Sequence, residues 1–187
     1  MKADYKLAAK KAYEILNEYN IKKLPIDIFS IIDSYKNIEL CSFSEIQSKF
    51  KYTKKDIKMC LGSKLGAVIN KNNKYIIYYN DKIGLQTSRF TIAHEFAHII
   101  LGHFYKAKTN VLVHNLNNKV LEYEANCFAR NILAPVFAFK SAPTNTLLQI
   151  LCDISWKATR TRLSFYETDI YYYKAYESEE AKKFLNF

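Results

Sequence analysis

The 187-residue chain has no apolar run approaching the ~18 residues that a membrane-spanning helix needs. It has no apolar signal core either: Met1-Lys2-Ala3-Asp4-Tyr5-Lys6 leads into a mixed-charge amphipathic stretch. The expectation is a soluble, cytoplasmic protein with no membrane partner. None of the four cysteines (Cys41, Cys60, Cys127, Cys152) forms a CxxC pair, which argues against a zinc knuckle or a thioredoxin-like site and favours reduced, partly buried thiols. Arginine, the preferred base reader, is scarce, and the lysines are dispersed. There is no internal repeat and no low-complexity linker, so a single domain over 1–187 is expected, with a core at about 5–166 and a C-terminal extension at about 167–187.

What is present is a chain 49% hydrophobic, enough to bury a core, with a formal charge of +10. That charge would attract nucleic acid or an acidic partner. A/T-rich codons account for it more simply, because Lys, Asn, Ile, Tyr and Phe are all abundant; direct nucleic-acid binding is therefore not the first expectation. Apolar spacing predicts an amphipathic helix at 4–20, ended by Leu24-Pro25-Ile26-Asp27, and a second at about 26–36. A short strand follows at 37–41. Residues 44–62 read as two short helices around a turn at 51–53, which could resemble a helix-turn-helix; eight lysines and one acidic residue, Asp56, lie between Lys49 and Lys74. With no recognisable base-reading set, a solvated helical hairpin near the active cleft is the simpler expectation. Gly66-Ala67-Val68-Ile69 and Tyr75-Ile76-Ile77-Tyr78-Tyr79 flank an Asn-rich turn and predict a β-hairpin. Residues 104–118 read as a polar loop. Helices are expected at about 119–133, where Pro135 stops the run, and at 144–154, 155–166 and 178–185. Tyr171-Tyr172-Tyr173 reads as extended.

The strongest chemical signal is His94-Glu95-Phe96-Ala97-His98, an HExxH motif. Four residues make slightly more than one helical turn, so the two imidazoles stack on one face and can share a Zn²⁺. Glu95 beside them can act as general base on water that the metal activates. Thr87 or Ser88 could cap this helix, which would run to about His103 and is apolar on nearly every side. Buried polar groups on such a helix cost several kcal/mol unless paired, and a metal would satisfy them together. Catalytic zinc usually takes three protein ligands. Leu101 and Phe104 stand where the elongated motif HExxHxxGxxH needs Gly and His. His103, five residues past His98, faces away on a continuous helix and reads as a helix C-terminal histidine. The third ligand then comes from the 121–133 helix. At roughly 100° per residue, Glu122 lies nearer its apolar stripe than Glu124, which should point outward. Periodicity therefore favours Glu122, with Glu124 as the alternative. Asn126, one turn on, can accept a hydrogen bond from a ligand histidine. Tyr123 and His114 are candidates for stabilising an oxyanion, and the sequence does not choose between them.

Two blocks, Arg89 through His103 and Glu122 through Pro135, together resemble the ImmA/IrrE family of metallo-endopeptidases. The resemblance covers about residues 5–166. It implies a gluzincin-like site on a small α+β fold, mainly helical and zincin-like, with a short hairpin before the HExxH helix. It also implies metal ligands at His94, His98 and Glu122 and a base at Glu95. The activity implied is regulated cleavage of a helix-turn-helix transcriptional repressor. One departure is Asn126, where related gluzincins often carry Asp. Two other function classes compete: a basic DNA-associated regulator with a structural metal, and an inactive protease-like binding module. The presence of all four site residues argues against the last.

Overall fold

A computed structural model gives the fold, and the structure describes residues 2–113 and 118–185. Helices α1 (Tyr5–Glu18) and α2 (Ile28–Asp33) precede strand β1 (Ile38–Ser42), and the short helices α3 (Phe43–Phe50) and α4 (Lys54–Leu61) follow it. The hairpin β2 (Gly66–Lys71) and β3 (Lys74–Tyr79) leads into α5 (Leu85–Ile100). Then come α6 (His103–Ala107), β4 (Val111–Val113), α7 (Lys119–Leu133), α8 (Val136–Lys140), α9 (Asn145–Cys152), α10 (Trp156–Ser164) and α11 (Tyr166–Leu185). This is the mainly helical α+β class expected.

The sheet has the order β1-β3-β2-β4; β1 runs parallel to β3 and the other pairs are antiparallel. The hairpin turn is tighter than its Asn-rich flanks suggested. Only Asn72 and Asn73 lie between Lys71 and Lys74, both with positive φ (55° and 63°), the conformation a two-residue type I′ turn requires. Alternation along the strands sorts side chains to two faces. Val68, Tyr75 and Ile77 point into the main core with α1, α5 and α7, while Ala67 joins Phe43, Ile46, Ile57 and Leu61 of α3 and α4. The helical pair at 43–61 therefore covers the sheet face opposite α5. That corrects the expectation of a hairpin beside the active cleft: Ala67, with Cys41, Ile69 and Tyr78 packed around it, gives the pair its own small core. Both helices start with capping boxes, Ser42/Glu45 and Thr53/Asp56, and Lys51 in the left-handed region makes the turn between them.

The main core is built for close helix approach. Ala8, Ala9 and Ala12 of α1 and Ala125 and Ala129 of α7 are fully buried, as are Ala93 and Ala97 of α5. Phe96 sets its ring edge-to-face on Phe128 and on Tyr35, with centroids 5.8 and 5.3 Å away. Arg89, at the start of α5, is buried and donates to the carbonyls of Ile26, Cys152 and Asp153 and to the Asp153 carboxylate. One side chain thus ties α5 to the segment before α2 and to the end of α9.

Several local expectations need correction. The α5 helix begins at Leu85 with Gly84 (φ 90°) as its cap, three residues before Thr87 and four before Ser88; the Ser88 hydroxyl instead donates to the Asn80 and Gly84 carbonyls. The 104–118 stretch is not all loop, because α6 and β4 lie within it; a five-residue helix and a three-residue edge strand are too short to show a period. Tyr171-Tyr172-Tyr173 is helical, not extended. Packing overrides aromatic β-propensity there: Tyr173 and Tyr176 set their rings on Tyr13 of α1, and Asp169 is held by Arg130 and Arg162.

Gly66 fixes how α5 crosses the sheet. A Cβ there would lie 2.5 Å from Thr91 Cγ2 and 2.6 Å from the Tyr78 carbonyl oxygen, so helix and strand touch where a side chain would stand. Gly66→Ala is expected to destabilise the fold by about 1–3 kcal/mol, the usual effect of overpacking. A urea titration should show a lower midpoint at unchanged slope. Wild-type stability would mean that the helix seats elsewhere.

Candidate metal centre

The middle of α5 is enclosed on all sides, and His94, Glu95 and His98 are each no more than 1% exposed. The four-residue spacing brings the two imidazoles together, with Nε2 atoms 3.2 Å apart. Glu122 reaches them from α7, with Oε2 3.3 Å from His94 Nε2 and Oε1 3.4 Å from His98 Nε2. The structure thus brings His94, His98 and Glu122 into one possible metal site. The spacing suits a small tetrahedral cation, whose donors at about 2.0–2.1 Å stand about 3.3–3.4 Å from one another.

The protonation states suit a cation as well. Burial lowers the His94 imidazole below its ordinary range, outweighing hydrogen bonding from Glu122 and favouring the neutral ring. Burial alone would raise the Glu122 carboxyl, but its close approach to His94 and His98 outweighs burial and the net shift is downward, so the carboxylate stays ionised. His94 Nδ1 lies 3.1 Å from Asn126 Oδ1; the amide oxygen accepts, so the His94 proton sits on Nδ1 and the Nε2 lone pair faces the cluster. Glu95 differs from its neighbours. It is fully buried, and neither carboxylate oxygen has a hydrogen-bond partner among the described residues. Burial and the nearby Glu122 charge push its carboxyl well above the usual range.

Two site residues were placed differently by sequence reasoning. His103 does not face away from the pair. α5 ends at Ile100, Gly102 adopts φ 65°, and α6 starts at His103, so the chain turns back. The His103 ring comes to rest with Nδ1 2.7 Å from His98 Nδ1, and it is fully buried. Burial, then the nearby His98, lowers its pKa to about 3. Gly102 was the available signal: a glycine just past a helix end commonly marks the left-handed residue that terminates it. Glu124 does not point outward either. It is 3% exposed, and Oε2 lies 3.0 Å from both His103 Nε2 and Lys106 Nζ, while Oε1 accepts the Asp4 backbone N–H at 2.8 Å. The outward side of α7 is covered by α6 and by the residue that caps α1, neither of which a helical wheel of α7 alone can show. Lys106 and Asp4 carried no signal of their own.

A cavity of about 610 Å³ opens beside the cluster, lined by Phe90, Tyr123, Asn126, Leu133, Ile154 and Phe165 among others. Tyr123 is half exposed on its rim. The other candidate for oxyanion stabilisation, His114, lies outside the described residues.

The peptidase profile described as the IrrE N-terminal-like domain matches residues 37–168, which include His94, Glu95, His98 and Glu122. The match begins later than the resemblance expected from about residue 5, leaving α1 and α2 outside it. A comparison with curated proteins finds no match. Family and geometry together point to a bound metal ion.

Glu122→Ala removes the only carboxylate of the three-donor set. Its affinity for divalent metal is expected to fall by more than the roughly 10–100-fold typical of losing an outer partner. Equilibrium dialysis with metal analysis measures this, and wild-type metal content in the variant would move the site elsewhere.

Proposed function

Because the chain belongs to the ImmA/IrrE metallopeptidase family, we propose that it is a zinc-dependent endopeptidase that cleaves a helix-turn-helix transcriptional repressor in a regulatory or mobile-element system. The observation that carries the hydrolytic reading is the buried Glu95 carboxyl, which has no hydrogen-bond partner among the described residues and is enclosed beside three clustered donors. An ordinary structural metal site has no use for such a group, whose burial without a partner costs free energy.

In this reading His94, His98 and Glu122 hold the ion as a gluzincin-type set. Zinc, when bound, supplies Lewis-acid chemistry: it polarises the scissile carbonyl and makes water a competent nucleophile at neutral pH. Glu95 takes the proton of the attacking water on a carboxylate oxygen, then passes it to the leaving amine as the C–N bond breaks. Burial and the Glu122 charge raise its proton affinity, which suits the first of these tasks, taking the proton from water. Asn126 holds the His94 ring in place. The cavity bordered by Phe90 and Tyr123 would offer apolar surface to the side chains of an extended peptide, and Tyr123, half exposed on its rim, is the candidate donor to the oxyanion. No described helix is long and apolar enough to cross a membrane. We place the protein in the cytoplasm, where its four free thiols stay reduced and a repressor is within reach.

Glu95→Gln tests the mechanism. The variant is expected to retain zinc and to lose about 10²–10⁴-fold in cleavage of a co-encoded helix-turn-helix repressor, followed by electrophoresis of the purified pair. Unchanged cleavage would remove Glu95 from the reaction. Salt-sensitive DNA binding with no cleavage by the wild type would favour a DNA-associated regulator with a structural metal.

A further inference from the structure

This inference rests on the metal-dependent reading of the cluster and concerns what holds His98. The His98 ring directs Nε2 towards Glu122, 3.4 Å away, and Nδ1 towards His103 Nδ1, 2.7 Å away. Two ring nitrogens at that distance share one proton, so one donates and the other accepts. A metal ligand needs its lone pair on Nε2, which places the His98 proton on Nδ1 and makes His98 the donor. His103 Nδ1 then accepts, and a neutral His103 carries its own proton on Nε2. That atom lies 3.0 Å from Glu124 Oε2, which as a carboxylate oxygen can only accept. Every link of the chain then has one donor and one acceptor. The opposite assignment fails at both ends. It would put a proton on His98 Nε2, where the metal must bind, and set a His103 lone pair against a carboxylate lone pair.

We propose that His103 and Glu124 are positioning residues of the metal centre, forming a Glu124–His103–His98 relay that fixes the tautomer and ring angle of His98 and thereby sets metal affinity. The far end of the relay is anchored by the Asp4 backbone N–H on Glu124 Oε1 and by Lys106 Nζ on Oε2. The two ligand histidines are therefore held by different means. His94 rests on the neutral amide of Asn126, whereas His98 rests on a buried carboxylate through a second imidazole. The residue that caps α1 reaches the metal centre through the same chain, although α1 lies outside the family match.

The test is Zn²⁺ affinity by chelator competition on the full chain, with thermal unfolding of each metal-free protein alongside. His103→Phe keeps the ring shape and removes both nitrogens; its affinity is expected to fall about 10–100-fold, the range for losing a partner of a ligand histidine. His103→Asn keeps an acceptor near the Nδ1 position and is expected to recover part of that loss. A merely structural histidine would give equal losses in the two variants, or wild-type affinity in both, and either result overturns the relay. Should the Phe variant fail to fold, long-range ¹H–¹⁵N spectra of the zinc-loaded wild type decide. His98 protonated on Nδ1 with His103 protonated on Nε2 supports the relay, and a proton on His103 Nδ1 overturns it. Failure of the wild type to bind Zn²⁺ would instead sink the peptidase reading itself, so the two failures are distinguishable.

Discussion

His94, Glu95 and His98 lie on a helix that has no solvent-facing side at that point, and the surrounding architecture follows from that burial. Ala93, Phe96 and Ala97 are wholly enclosed on the same turns, so the polar atoms must find partners inside the protein. Isolated, each would cost on the order of several kcal/mol. His94 finds Asn126, His98 finds His103, and the two Nε2 atoms converge with the Glu122 carboxylate on the candidate metal position. Glu95 alone is left without a partner among the described residues. Its burial without a partner works against stability, and it is the observation on which the proposed hydrolytic role of Glu95 rests.

Helix α7 is what makes this arrangement possible, because it works on two sides. Glu122 and Glu124 are two residues apart and therefore about 200° apart on the helix. One carboxylate enters the cluster directly, and the other reaches His98 from the far side through His103. This second route exists only because Gly102 breaks α5 from α6. A continuous helix through His103 would have carried that ring away from Glu124 and left the His98 Nδ1 proton to seek another acceptor. The alanine faces of α1 and α7 let those helices approach closely, which holds Glu124 against the Asp4 backbone.

How much of this was legible in the sequence depends on whether the signal was local and sustained. Helix α7 carries an apolar period, the hairpin two apolar runs about an Asn-rich turn, and the HExxH helix an unbroken apolar stretch around its motif, so their positions could be read directly. The approach of Glu122 to the histidine pair follows from its angle to the apolar stripe of α7. His103 and Glu124 were misplaced for one shared reason: helical-wheel reasoning assumes an unbroken helix with one covered side. Gly102 violates the first assumption, and α6 with the α1 cap violates the second. The Tyr171-Tyr172-Tyr173 run failed differently. Its local preference for extended backbone is real, but Asp169 and Tyr173, one helical turn apart, both have partners on other helices.

The Asp169 contacts also explain why α11 belongs with the rest of the molecule. Its carboxylate is fully buried and takes Arg130 Nε and Nη2 at 2.7 and 2.9 Å and Arg162 Nη1 at 2.8 Å. Arg162 also donates to the Ala134 carbonyl, just past the end of α7, and Arg130 lies over the Phe165 ring. Two buried guanidiniums without that carboxylate would be left uncompensated, and breaking such a pair costs about 3–5 kcal/mol. The more solvent-accessible contacts of Glu179 with Lys6 and Lys10 contribute far less than this buried trio. Arg130 stands one turn beyond Asn126 on α7, and both it and Arg162 line the cavity beside the His94–His98–Glu122 cluster. The first turn of α11 therefore fixes the wall of that cavity, and through α7 the seat of Glu122, from outside the segment that carries the candidate metal site.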